Sequence, residues 1–172
     1  VYYGENSGKY NVTFSGGKTS EVFVGKTSYF QIKPEKVSIK FNSIDQVNID
    51  SVSLKELKPL TAFEEPAIKY FSGEATYKLK FRALPHFISG RDSIYLNLGT
   101  FESLAEVTLN GKYLGQFWLP DFNIKVNDII KGDNVLEVKV SNVSRNRIIG
   151  DLNEYGQLKN LWTTANVKDQ LS

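Results

Sequence analysis

Apolar and polar residues alternate one by one along much of this chain. From Thr76 to Ala83, the residues Tyr77, Leu79, Phe81 and Ala83 fall on one face and Thr76, Lys78, Lys80 and Arg82 on the other. That is the period-two pattern of a strand with one side in a core and the other in water. Just upstream, Tyr70 and Phe71 run into Ser72-Gly73. A residue without Cβ allows a tight bend or bulge there, directly before the strand. The alternation recurs at Val37, Ile39 and Phe41, at Ile94, Leu96 and Leu98, at Ala105, Val107 and Leu109, and at Leu136, Val138 and Val140. Shorter runs occur at Val47 and Ile49 and at Val52 and Leu54. Asn110-Gly111 is the strongest short hairpin turn available and returns the chain as a strand over Lys112 to Trp118. Lys131 to Asn134 reads as another turn.

The first residues carry two alternating runs, Lys9 to Phe14 and Ser20 to Val24, separated by Ser15-Gly16-Gly17-Lys18. This predicts a hairpin that must pack on something, because a lone hairpin is marginal in water. Pro34 interrupts any strand through it and marks a boundary. Residues 1–33 are therefore read as a β-hairpin segment belonging or connecting to a preceding domain, and 34–172 as the main domain. Lys55 to Pro66 reads as a surface connection with at most one helical turn, Pro85 to Asp92 as a loop, and Asp121 to Ile130 as a short bridge. The chain is expected to leave regular structure from Asn142 to Asp151, and no segment longer than about ten residues shows helical periodicity. Strands of five to eight residues with one apolar face each predict an all-β fold, an antiparallel β-sandwich with jelly-roll connectivity.

Composition narrows the chemistry. The net charge of +2, with lysines and acids interspersed, lacks the basic excess of nucleic-acid binding. The absence of Cys excludes disulfides, thiolate zinc sites and a cysteine nucleophile. The absence of Met, even at position 1, predicts a piece of a longer translation product. No signal segment is present, and the apolar runs fall far short of the ~20 residues of a membrane span, so neither nucleic acid nor membrane is an expected partner. His86 is the only histidine and cannot be half of an ordinary zinc site; with no nucleophile-elbow motif, a Ser-His-acid site has no support either. No Gly-rich phosphate loop occurs. Among 19 carboxylates, nothing marks one pair as a glycosidase acid and nucleophile.

Sugar binding fits the residue types better, because sugars stack an apolar C–H face on aromatic rings and offer hydroxyls to amide, carboxylate and guanidinium groups. The aromatic candidates are Tyr70, Phe71, Tyr113, Phe117, Trp118 and Trp162; the polar ones are Asn110, Asn146, Arg147 and Asp151. The competing reading is structural: the aromatics fill a core, and Arg147 with Asp151 form an ion pair pinning a loop.

Several stretches carry a resemblance. The run Ile68 to Tyr77, then Leu96-Asn97-Leu98-Gly99, Ala105 to Lys112, Gly115 and Trp118 to Pro120 resemble the C-terminal β-sandwich of bacterial α-L-rhamnosidases of glycoside hydrolase family 106. That module is similar to the sugar-binding domain of family 2 glycosidases, with a galactose-binding-like jelly-roll fold. Asn146-Arg147-Ile148-Ile149-Gly150-Asp151 resembles the Asn-Arg-Leu-Ile-Gly-Asp signature that closes it. The resemblance spans Lys36 to Asp151 and implies a non-catalytic, carbohydrate-binding-like module of a large enzyme that degrades plant polysaccharide, secreted or periplasmic, chiefly in Bacteroidetes. Its implied partners are carbohydrate or the catalytic barrel of the parent chain, and no catalytic residue is carried over. The ligand-binding candidates are then Tyr70, Asn110, Trp118, Asn146, Arg147 and Asp151. A structural calcium is left open, since such jelly rolls often carry one, although no acidic loop has a recognisable ligand spacing. Leu60 and Ser144 stand where the family commonly has Trp, which points toward a scaffold role or an altered ligand. A purely structural interdomain module is the alternative.

Overall fold

A computed structural model describes residues 7–25, 30–43, 49–85, 88, 93–99, 103–118, 123–142 and 145–158. The expectations placed on Val47, His86, Leu119-Pro120, Ser144 and Trp162 lie outside these residues. The chain forms two compact units, Val1–Gln31 and Ile32–Ser172.

In the first unit, β1 (Gly8–Thr13) pairs antiparallel with β2 (Thr19–Val24). The turn between them places Gly17 at φ 78°, and the Gly17 amide donates to the Phe14 carbonyl at 2.8 Å. The register sets Tyr10 opposite Val22, so Tyr10, Val12, Val22 and Val24 share a face while Phe23, opposite Lys9, lies on the other.

In the second unit the alternating runs become β3 (Lys36–Ser43), β4 (Val52–Leu54), β5 (Gly73–Arg82), β6 (Tyr95–Asn97), β7 (Leu104–Leu109), β8 (Lys112–Phe117), β9 (Asn123–Lys125) and β10 (Asp133–Asn142). Six of these make one antiparallel sheet in the order β4-β3-β5-β10-β7-β8, and β6 pairs with β9 in a second, smaller sheet. The all-β, antiparallel sandwich expected from the alternation is the fold observed. Opposed residues in antiparallel pairs point to the same side. Val37, Leu79 and Leu136 therefore line one face with Ile39, Val107 and Leu109, and this face is closed by Leu96 and Val126 from the smaller sheet's side.

The opposite face is charged. Lys78 pairs with Glu137 at 2.6 Å, and Lys139 lies between Glu106 at 3.0 Å and Glu74 at 3.4 Å. Exposed pairs of this kind contribute little to stability, because solvent and salt screen them. Their main effect is to favour one register, because a one-residue slip would turn them into the core.

Three segments differ from expectation, one of them Pro85 to Asp92, read as a loop, in which the described Pro85 and Ile88 are helical. Asp121 to Ile130 contains a strand, β9, too short to show alternation. Asn142 to Asp151 does not leave regular structure: Arg145–Tyr155 is an α-helix of 11 residues, here α2. It is preceded in the chain by a 3₁₀ turn at Leu60–Ala62 and a single helical turn, α1 (Pro66–Lys69), begun by proline at its first position, where no amide donor is needed.

The hairpin β7–β8 is irregular. Val107 pairs with Gly115 but Thr108 with Tyr113, so Leu114 is an extra residue in β8. Gly115 takes φ 135°, and the Phe117 ring lies 3.2 Å from where its Cβ would be.

Candidate functional site

The register defines two ends of the main sheet. Gly73, Asn142, Leu104, Phe117 and Ser43 lie at one end; Arg82, Asp133 and the Asn110-Gly111 turn lie at the other. Of the sequence-derived candidates, Tyr70, Asn146, Arg147, Asp151 and Trp118 belong to the first end. Asn110 belongs to the second.

At the first end the bend before β5 is held from both sides. Phe71 is buried and meets Phe41 edge-on, with ring centroids 5.0 Å apart. The Asn142 amide donates to the Phe71 carbonyl at 2.9 Å, and Gly73 opens the strand at φ 140°. Tyr70 remains half-buried beneath α2. A Cβ on Gly150 would sit 2.7 Å from Tyr70 Cβ and Cγ, so helix and ring touch through the missing side chain. One turn of helix brings Arg147 to Asp151, Nη2 to Oδ1 at 3.1 Å, with the carboxylate fully buried and the guanidinium 12% exposed. Both residues lie on α2, so the pair braces the helix itself, while the helix meets the bend before β5 where Gly150 packs on Tyr70.

Trp118 is different, with 73% of its surface in solvent at the end of the edge strand β8. The alternation from Gln116, which donates to Glu106 on the charged face, carries Trp118 toward that same face.

Asn110 works at the far end as a turn latch. It takes φ 52°, its amide donates to the Ile129 carbonyl at 2.8 Å and to Asn134 Oδ1 at 2.9 Å, and its carbonyl accepts from the Val135 amide at 2.9 Å. Asn134, itself buried, donates in turn to the Lys131 carbonyl at 2.6 Å. Asn110→Gly keeps the backbone conformation but strands these partners, so a loss of about 1–3 kcal/mol is expected in urea denaturation. A neutral result would mean that the backbone conformation alone secures the turn.

The core face at the first end also carries an open groove of about 200 Å³. Its floor is Ala75 and Tyr77 of β5 with Val140 of β10; Leu60 and Thr61 of the 3₁₀ turn form one wall, and Ser103 and Asn146 complete the rim. Burial pushes the Tyr77 phenol above its ordinary range, which keeps it a neutral hydroxyl. Of the sequence-derived candidates only Asn146 lines this groove. Tyr77 was legible as a core-face residue, but nothing in the sequence brought Thr61 and Ser103 to it. A larger depression at the opposite end is bordered by Glu35, Lys80, Arg82 and Asp133. Its Arg82 guanidinium bonds Asp133 at 2.9 Å, and both side chains are mostly exposed. Among the described residues no three His, Cys, Asp or Glu side chains cluster as metal ligands, and no helix is long and apolar enough to cross a membrane.

No family model matches the chain. It is 44% identical over 108 residues to a protein of Formosa agariphila named "Putative beta-glucuronidase", covering 62% of this chain and 9% of that one. The solved structure of a rhamnosidase from Novosphingobium sp. PP1Y superposes with a TM-score of 0.69 at 30% identity, over 88% of this chain and 15% of the rhamnosidase. A β-glucuronidase of Lactobacillus rhamnosus shares the fold, at a TM-score of 0.52 and 17% identity. The chain thus matches a small part of much larger glycoside hydrolase chains and spans about 9% and 15% of the first two.

Proposed function

We propose that this chain is a non-catalytic, carbohydrate-binding accessory module of an exported glycoside hydrolase resembling the family 106 α-L-rhamnosidases. The observation that carries the reading is the match of 88% of this chain to 15% of a rhamnosidase, a module-sized portion of a much longer chain. The groove, whose described lining carries hydroxyl and amide but no charged side chains, supports a sugar as ligand, and the pairing of Asp151 with Arg147 supports a role without acid–base chemistry at that carboxylate. The catalytic barrel of the parent enzyme is the proposed covalent partner. A second reading, a structural interdomain module without a ligand, draws on the packing of Tyr70 against Gly150.

A screen of the folded chain against rhamnose- and galactose-containing plant polysaccharides separates the two readings. Retention on any of them supports the binding module, and no retention on any favours the structural one. Trp118→Ala serves as the companion variant: a tenfold loss, about 1.4 kcal/mol, would make the exposed indole a stacking platform. Unchanged retention would direct attention to the groove instead.

A further inference from the structure

We infer that the groove between β5, β10, the 3₁₀ turn and α2 is a subsite for a single neutral sugar residue and discriminates against uronic acids. The inference deepens the carbohydrate-binding reading and rests on it.

Size sets the first limit. Pockets for drug-sized ligands hold about 300–1,000 Å³, so a groove of about 200 Å³ takes one ring rather than an oligosaccharide. Its chemistry sets the second. Ala75 and Val140 in the floor and Leu60 in the wall offer an apolar surface, while Tyr77 in the floor and Thr61, Ser103 and Asn146 around it add three hydroxyls and an amide. Among the described residues, none of these four is recorded in a side-chain hydrogen bond to the protein, and none has a side-chain polar atom sealed from solvent without a partner. A rim of hydroxyl and amide groups left to the solvent above an apolar floor matches a sugar ring, which has C–H groups on one side and hydroxyls around its edge.

Charge sets the third. Among the described residues no Lys, Arg, Asp or Glu lines the groove. A bound uronate would lose hydration at its carboxylate without gaining a cationic partner, an uncompensated desolvation. A neutral ring has no such cost, and one with a methyl group in place of a hydroxymethyl gains contact with the apolar wall. The arrangement therefore favours a neutral 6-deoxyhexose over a hexuronate.

The test is calorimetric titration of the full 172-residue chain with methyl α-L-rhamnoside, methyl α-D-mannoside and methyl β-D-glucuronide. The wild type is expected to bind the rhamnoside at least tenfold more tightly than the glucuronide. Tyr77→Phe and Thr61→Val, which keep shape and remove one hydroxyl each, are expected to weaken rhamnoside binding at least fivefold without lowering the denaturation midpoint. Thr61 is exposed, so its variant folds even if a change at Tyr77 disturbs the sheet. Equal affinity for glucuronide and rhamnoside would overturn the proposed selectivity. Polysaccharide retention by the wild type that survives both variants undiminished would overturn the groove as the site while leaving the binding module intact. A folded chain that binds no glycan at all would overturn both.

Discussion

Asp151→Ala is expected to lower the stability of the sandwich by about 3–5 kcal/mol, because it leaves the Arg147 guanidinium, only 12% exposed, without the carboxylate it faces. The loss reflects an orphaned charge rather than the net worth of the pair, which a hydrophobic replacement of both partners could match. Asp151→Asn should act in the same direction, since it keeps the volume and removes the charge. Urea denaturation is the measurement: the midpoint should fall with the slope unchanged. Sugar affinity of the protein that remains folded should not change, because the carboxylate is fully buried. A loss of affinity at an unchanged midpoint would contradict the structural role and place Asp151 in contact with ligand.

Gly150→Ala should also destabilise, against the usual sign. In an exposed helix interior this substitution gains about 1 kcal/mol. Here the new methyl would lie 2.7 Å from Tyr70 Cβ and Cγ, atoms fixed close to the backbone that cannot swing aside. The helix or the bend must move, and overpacking of this kind costs about 1–3 kcal/mol. A double-mutant cycle with Tyr70→Gly isolates the contact. In that background Gly150→Ala should become neutral or favourable; an equal penalty in both backgrounds would show that Tyr70 is not what α2 rests upon.

These two residues also mark where the sequence was hard to read. The long strands were legible because each buries one face, so Val37-Ile39-Phe41 and Tyr77-Leu79-Phe81 announce themselves by alternation. β9 was not, because three residues are too few for a period. α2 was not, because Asn146 and Gly150 weaken a helical pattern, and a glycine inside one argues against it. Tertiary contact overrides that local preference: the glycine is needed so that the helix can reach Tyr70. The string from Asn146 to Asp151 stood out as a motif, and in the fold its two charges, Arg147 and Asp151, pair one turn apart on a single helix. Asn110 was chosen for its polar group and sits at the other end of the sheet from Asn146. The groove was least legible, since Thr61, Tyr77, Ser103 and Asn146 come from separate segments whose convergence only the fold creates.

The extra residue in β8 bears on how the molecule behaves in a crowd. Six strands in an open sheet leave β8 on the outside, with Tyr113 and Trp118 largely in solvent. A flat outer strand with such side chains would invite a second copy to extend the sheet through its free amides and carbonyls. The insertion of Leu114 and the bend at Gly115 break the even spacing that such an addition would have to match. The irregular hairpin therefore opposes edge-to-edge pairing, and deleting Leu114 to straighten it is expected to raise self-association, read as concentration-dependent larger species in size-exclusion chromatography.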